Sequence, residues 1–360
     1  MKPAGPRRGR GAVVSPDGRF ESWRREAVDD GGWNAAEDAA APLVTELIAD
    51  TAKSVITYNT SPDIPYDRSI NPYRGCEHGC AYCFARPSHA YLGLSPGLDF
   101  ETRLAYKADA VACLRRELSR PGYACAPVAL GINTDAWQPV ERRLGVTRGI
   151  LEVLAGCGHP VTIVTKSALI LRDLDLLAAM ARRDLVHVAV SVTTLDAALA
   201  RAMEPRAPSP QRRLSVIAAL AEAGVPVAVM VAPLIPALTD HELERILAAA
   251  SEAGAGSAGY ILLRLPNEVK PLFEAWLQVH VPGRAAHVYS LLRQLHGGRE
   301  YDSTFGRRQR GSGPLADVIA QRFRAASRRL GLDSPSPPLD RSGFVPPQNQ
   351  ASPTPQMTLF

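Results

Sequence analysis

From residue 68 onward the chain alternates short β-branched runs with alanine- and leucine-rich stretches of helical periodicity. Val128 to Ile132, Val161 to Thr165, Leu185 to Val192, Val227 to Val231 and Tyr260 to Leu265 read as strands, with Ser69 to Tyr73 as a weaker first one. Helical stretches fall between them, near 103–119, 146–157, 173–183, 195–202, 209–223 and 239–253. Strands that are apolar on both faces and alternate with helices predict a parallel sheet with helices outside. Six such units occupy roughly 200 residues, short of the ~250 of a closed eight-unit barrel. The expected fold is therefore α/β, a partial (βα)6 TIM-type barrel over residues 65–268. Thr239 with Glu242 three residues later reads as a capping box, and Gly224 as the left-handed stop of the preceding helix.

The pattern changes on both sides of this repeat. Residues 1–60, rich in Gly, Pro, Ala and Arg, read as a flexible extension with one helix over Ala41 to Ala52. Residues 269–332 are helical throughout, and 333–360 are so rich in Ser, Pro and Gln that a disordered tail is expected.

Hydrophobic residues make up 46% of the 360, enough for a well-buried core. The longest apolar run, from Val225, is broken by Pro226, Pro233 and Pro236, so no membrane span is expected. The six cysteines lack a disulfide-framework spacing and no signal-peptide core precedes residue 60, which points to the reduced cytoplasm. Formal charge is +5, and residues 299–330 alone, with eight arginines against three acidic residues, carry an excess of the same size. Such a patch suits a phosphate backbone, or is simply a solvated helix face.

Three of the six cysteines lie within eight residues, in "NPYRGCEHGCAYCFAR". Cys76, Cys80 and Cys83 follow the first strand, on the face where barrel active sites assemble. A four-iron cluster binds one thiolate per iron, so three cysteines leave one iron open to a non-protein ligand. The alternative is zinc held by the three thiolates and completed by His78 or His89. Cys113 and Cys157, in helical patterns, read as buried apolar residues.

The C-x3-C-x2-C spacing, with an aromatic before the third cysteine, resembles the radical SAM superfamily. With "GINTDAWQPVE", "VTKS" and "VSVTTLD", it is similar to the branch containing spore photoproduct lyase, over about residues 68–268. The resemblance implies a [4Fe–4S] cluster whose open iron takes S-adenosyl-L-methionine, and a reduced flavodoxin- or ferredoxin-type electron donor. It implies that Thr134 contacts the methionyl part of the cofactor, beside Asp135, that Lys166 pairs its carboxylate, and that Tyr82 lies near adenine. Ser191 and Thr193 would bond the same moiety or the ribose, with Glu204 and Arg206 on the rim. Each has a plainer alternative: a turn or cap for Thr134 and Asp135, a surface lysine for Lys166, ordinary strand residues for Ser191 and Thr193, a loop ion pair for Arg206.

The lyase uses a cysteine as hydrogen donor where this chain has Ile132 and Asn133. Cys125 or Tyr82 would have to take that catalytic role. The activity so implied is radical chemistry on damaged or modified DNA. Two rivals stand beside it: a radical enzyme acting on a peptide, protein or small molecule, and a non-catalytic iron–sulfur DNA-binding protein. The final "QMTLF", Gln356 to Phe360, closely resembles the short peptides that dock on the bacterial DNA polymerase sliding clamp, which supports the DNA reading.

Overall fold

The computed structural model describes residues 9–20 and 44–347. Six parallel strands form the main sheet: β3 (Arg68–Ile70), β6 (Val128–Leu130), β7 (Val161–Thr165), β8 (Val186–Ser191), β9 (Val227–Leu234) and β10 (Ser257–Leu262). They lie in the order β10-β9-β8-β7-β6-β3, and β2 (Ile56–Tyr58) adds an antiparallel edge beyond β3. Strands β7 to β10 are joined by helices α3 (Leu174–Ala181), α4 (Ala197–Met203), α5 (Pro210–Glu222) and α6 (Leu243–Glu252), while α1 (Ala110–Leu118) and α2 (Val146–Gly156) come before β6 and β7. This is the expected partial α/β barrel.

Burial alternates along the strands and fixes their two faces. Val161, Ile163, Val186, Val188, Val227 and Val229 are buried under the helices in one continuous core. Their neighbours Thr162, Val164, His187, Ala189, Ala228 and Met230 are half-buried and face a lumen. Because the barrel is open and its inner wall includes Ala189, Ala228 and Gly259, the lumen keeps free volume where a closed barrel would be filled by side chains.

Two expected helices are strands. Residues 46–50, inside the helix expected over 41–52, form β1 (Glu46–Asp50), and residues 103–107 form β5 (Arg103–Lys107) rather than the first turn of a helix. They pair in parallel, and β4 (Tyr73–Arg74) joins the other side of β5. Leu104, Tyr73 and Val140 close a small core beneath this second sheet. Local propensity is a weak preference, and here cross-strand pairing with burial of Leu104 outweighs it. Nor is the capping box formed. Thr239 accepts from Ile235 N at 3.0 Å, while Glu242 is held by the Thr194 hydroxyl.

The described parts of both flanks pack on the barrel. Of residues 1–60, Ala12, Val13 and Val14 are buried, and Gly11 and Ala12 donate their backbone N–H groups to the Glu101 carboxylate at 3.0 and 2.8 Å. Of residues 333–360, the described part reaches 347 and packs across the base of the barrel. Asp340 N donates to Asp184 O at 2.8 Å and Val345 N to Cys157 O at 2.9 Å, and Phe344 rests on Tyr123 and His159. Gln356 to Phe360 lie outside the described residues.

The helical segment divides in two. Helices α7 (Val269–His280) and α8 (Pro282–Leu295) share a core with Cys80, Ala81 and Tyr82, so they support the cysteine loop from behind. Helix α9 (Pro314–Leu330) packs against α6, where Arg322 forms a 2.7 Å ion pair with Glu244. No helix among the described residues is long and apolar enough to cross a membrane.

Candidate active site

The cysteine loop is shaped by two buried side chains, Arg86 just after it and Gln138 in the loop after β6. The Arg86 guanidinium, fully buried, donates to the carbonyls of Cys80, Pro96 and Gly97 at 2.9, 3.0 and 2.8 Å and pairs with the equally buried Glu101. On the other side Gln138 accepts from Glu77 N at 2.8 Å and donates to Gly75 O at 3.2 Å. Gly79 has φ +66°, and a Cβ there would sit 2.7 Å from the Glu101 carboxylate, so glycine is required.

Cys76, Cys80 and Cys83 all line one cavity of about 790 Å³, which runs down the lumen from the C-terminal ends of the strands. All three are free thiols. Burial raises the Cys76 and Cys80 thiols, and each is raised further by the Cys83 charge. They would bind as thiolates only against a strongly positive centre. Yet no three His, Cys, Asp or Glu side chains among the described residues converge as one ion would need. Three free thiols on the wall of one cavity suit a cluster that takes one thiolate per iron. His89 is buried outside the wall of this cavity, its Nε2 lying 2.9 Å from Arg103 O.

Asp135, Lys166, Ser191 and Tyr82 line the cavity with the cysteines. Asp135 ties the strand ends together. It accepts from the Thr165 hydroxyl at 2.8 Å and from Lys166 N at 2.8 Å. Tyr82 is 6% exposed and gives its hydroxyl to Glu204, a carboxylate that also accepts from Thr193 at 3.1 Å and pairs with buried Arg213. Its ring stays open to the cavity, with Lys166 Nζ 5.8 Å from the ring centroid.

Four expected residues are not brought to the cavity wall. The Thr134 hydroxyl donates to Tyr73 O at 2.8 Å, just before the cysteine loop. Thr193 is spent on Glu204, and Arg206 pairs with Glu77 at 2.9 Å, the loop ion pair weighed from the sequence. Cys125 precedes β6, at the end of the barrel opposite the cysteine loop, where its electrostatic neighbours are Arg68, Arg341 and Asp340. That position lies outside the wall that carries the three cysteines.

The cavity also contains His78, weighed from the sequence as a zinc ligand, and arginines that local pattern did not assign to it. His78 is 2% exposed, its Nδ1 is 3.5 Å from Asp135, and burial holds its pKa down to about 4, so the ring is neutral near pH 7. Farther out the wall is cationic: Arg264, Arg308 and Arg310 join Lys166 against Asp63 and Asp135 as the acidic residues. Each of these arginines lies over an aromatic ring: Arg264 is 4.7 Å from the Phe84 centroid, Arg308 4.7 Å from Phe305 and Arg310 4.2 Å from Tyr260. Arg308 is paired with Asp63, whereas Arg264 Nε is buried without a hydrogen-bond partner among the described residues. The useful signal was "GCAYCFAR", whose Phe84 follows the third cysteine; its partner Arg264 is 180 residues away and invisible to local pattern.

Residues 70–250 match the model of the Radical SAM superfamily. Over 287 residues, 79% of this chain, the sequence is 38% identical to an uncharacterized protein of Mycobacterium tuberculosis, of which 82% is covered. An uncharacterized protein of Methanocaldococcus jannaschii is 26% identical over 197 residues, 55% of this chain and 71% of that protein. The fold is similar to that of spore photoproduct lyase complexed with dinucleoside spore photoproduct, with TM-score 0.55, 15% identity and 79% of each chain covered. It is equally similar to a spore photoproduct lyase mutant with bound AdoMet and dinucleoside spore photoproduct, with TM-score 0.54 and 14% identity over the same 79% of each chain. At these identities the structural likeness concerns the fold.

Proposed function

Since the chain belongs to the radical SAM superfamily, which uses a [4Fe–4S] cluster and S-adenosyl-L-methionine, we propose that it is an enzyme acting on nucleic acid, specifically on damaged or modified DNA. When bound, the two cofactors would together supply hydrogen-atom abstraction by radical chemistry. Cys76, Cys80 and Cys83 hold the cluster. Lys166 pairs the cofactor carboxylate, Ser191 offers a hydroxyl to the same ligand, and Tyr82 presents its ring while Glu204 fixes its phenol. Neutral His78 adds no positive charge beside the thiolates. Thr134 acts one step back, by holding Tyr73 at the root of the loop.

The observation that carries the DNA reading is the outer wall, where Arg264, Arg308 and Arg310 each lie against an aromatic ring. Alternating cations and π-faces suit a ligand that is itself phosphate and base. Spore photoproduct lyase, of similar fold, is described in complex with a dinucleoside photoproduct, which supports the same substrate class. A ferredoxin- or flavodoxin-type protein would supply the electron. Docking of Gln356–Phe360 on a sliding clamp would hold the enzyme near DNA. It is tested by clamp binding of the full chain against one ending at Pro355.

The decisive experiment is anaerobic reconstitution and reduction, followed by incubation with S-adenosyl-L-methionine and damaged or intact DNA. Mass spectrometry should find 5′-deoxyadenosine formed faster with damaged DNA, together with an altered DNA product. Cofactor cleavage indifferent to DNA, with no DNA product, would favour a peptide or small-molecule substrate. A cluster that leaves S-adenosyl-L-methionine intact would favour the non-catalytic binding protein.

A further inference from the structure

A second concavity, about 550 Å³, opens between the C-terminal half of α9 and the segment that follows it. Arg324, Ser327 and Arg328 line it from the helix, and Asp333, Ser334 and Ser336 from the segment. Arg324 and Arg328 are exposed and one turn apart, a spacing at which like charges repel unless something lies between them. Among the described residues neither has an ion-pair partner, although Asp333 shares the wall. Ser327 is the more telling residue. It is 2% exposed, yet its Oγ has no hydrogen-bond partner among the described residues. A helical serine can return its hydroxyl to the carbonyl one turn back, and a buried hydroxyl left unpaired is costly.

The concavity lies by the N-terminal end of β10, around the strand from the lower part of the cluster cavity. Ala258 and Gly259 are successive residues of β10; Ala258 lines this concavity and Gly259 the cluster cavity. Since β10 is the edge of the main sheet, the two cavities occupy opposite faces of an edge strand. Ser336 borders both. On the cluster side the wall already carries Arg310.

We propose that Arg324, Ser327 and Arg328 bind a backbone phosphate of the same strand whose reacting nucleotide enters the cluster cavity, so that the substrate is a polynucleotide held on both sides of β10. This rests on the nucleic-acid reading above and deepens it. The two guanidinium groups neutralise the phosphate and the Ser327 hydroxyl donates to it, which gives the buried Oγ a partner.

The test uses the reconstituted holoenzyme with a labelled dinucleotide and a labelled single strand about 20 nucleotides long, at several salt concentrations. The wild type should bind the long strand about tenfold or more tighter than the dinucleotide. Arg324→Gln with Arg328→Gln should remove that gain and make the long-strand affinity less sensitive to salt, leaving dinucleotide affinity and cofactor cleavage unchanged. Ser327→Ala should lose part of the gain, and Arg329→Gln, outside this wall, none. The inference fails if the double variant keeps the gain, if Arg329→Gln loses as much, or if the wild type binds both lengths equally while inorganic phosphate occupies the concavity. Failure of the wild type to bind either length would instead overturn the nucleic-acid reading itself.

Discussion

Asp135 Oδ2 accepts a 2.8 Å hydrogen bond from the backbone nitrogen of Lys166. The end of β6 therefore fixes where the lysine leaves β7, and with it the direction from which its ammonium reaches the cavity. This one carboxylate positions a charge that neither strand could aim alone.

Lys166→Ala should keep its iron but bind S-adenosyl-L-methionine about ten- to a hundredfold more weakly, the value of one charge-assisted hydrogen bond of ~1.5–3 kcal/mol. Equilibrium binding to the reconstituted protein measures this. Unchanged affinity would return Lys166 to the role of a surface lysine.

Alanine at Cys76, Cys80 or Cys83 should abolish iron binding and the brown absorbance of the cluster, whereas Cys113→Ala should not. Cys125→Ala should retain both iron and the rate of 5′-deoxyadenosine formation, because Cys125 sits at the opposite end of β6. A Cys125 variant that cleaves cofactor but releases an altered DNA product would restore its catalytic role.

Glu101→Gln leaves the Arg86 guanidinium buried without its counter-charge. Breaking such a pair costs about 3–5 kcal/mol, and the same change weakens the hold on Gly11 and Ala12. Urea unfolding should show the loss, and iron uptake should fall even though every cysteine is present. Full iron uptake at wild-type stability would show that the loop keeps its shape without this pair.

Burial holds His159 down to about 4, against an ordinary value of 6.5. The unfolded chain therefore takes up the proton first. Stability is complete above about pH 6.5 and is lost as the pH falls toward about 4, by up to about 3 kcal/mol from this group. His78 shifts in the same direction. Unfolding free energies measured across this range should be flatter in His159→Gln; equal slopes would assign the acid sensitivity elsewhere.

The barrel was legible in the sequence because its strands are buried on the helix side and mostly apolar on the other: Val161–Thr165 is a strand with the bounds read from its pattern. The cysteine loop was legible because its thiols are neighbours in the chain. What sequence could not reveal depends on distance along it. Arg103–Lys107 carries no strand signal strong enough to outweigh the helix it precedes, and becomes β5 because β1 and β4 flank it. Arg308 meets Asp63 across 245 positions and Arg264 meets Phe84 across 180, so the cationic wall exists only once the open barrel has folded. Thr134 and Thr193 lie in the loops after β6 and β8, and the hydroxyl of each is committed to a neighbour, Tyr73 O and Glu204.

The inner wall of the barrel carries Ala189, Ala228 and Gly259 on three adjacent strands, β8, β9 and β10, while the cysteines all come from one loop after β3. Room for substrate and the means of making a radical are thus written in separate stretches of the gene. Enlarging any one of the three small residues would reshape the floor without altering a cysteine; a side chain at Gly259 would meet only the flexible end of Met230, about 3.0 Å away. Descendants of such a protein can diverge in what they attack by single substitutions while inheriting the radical chemistry intact.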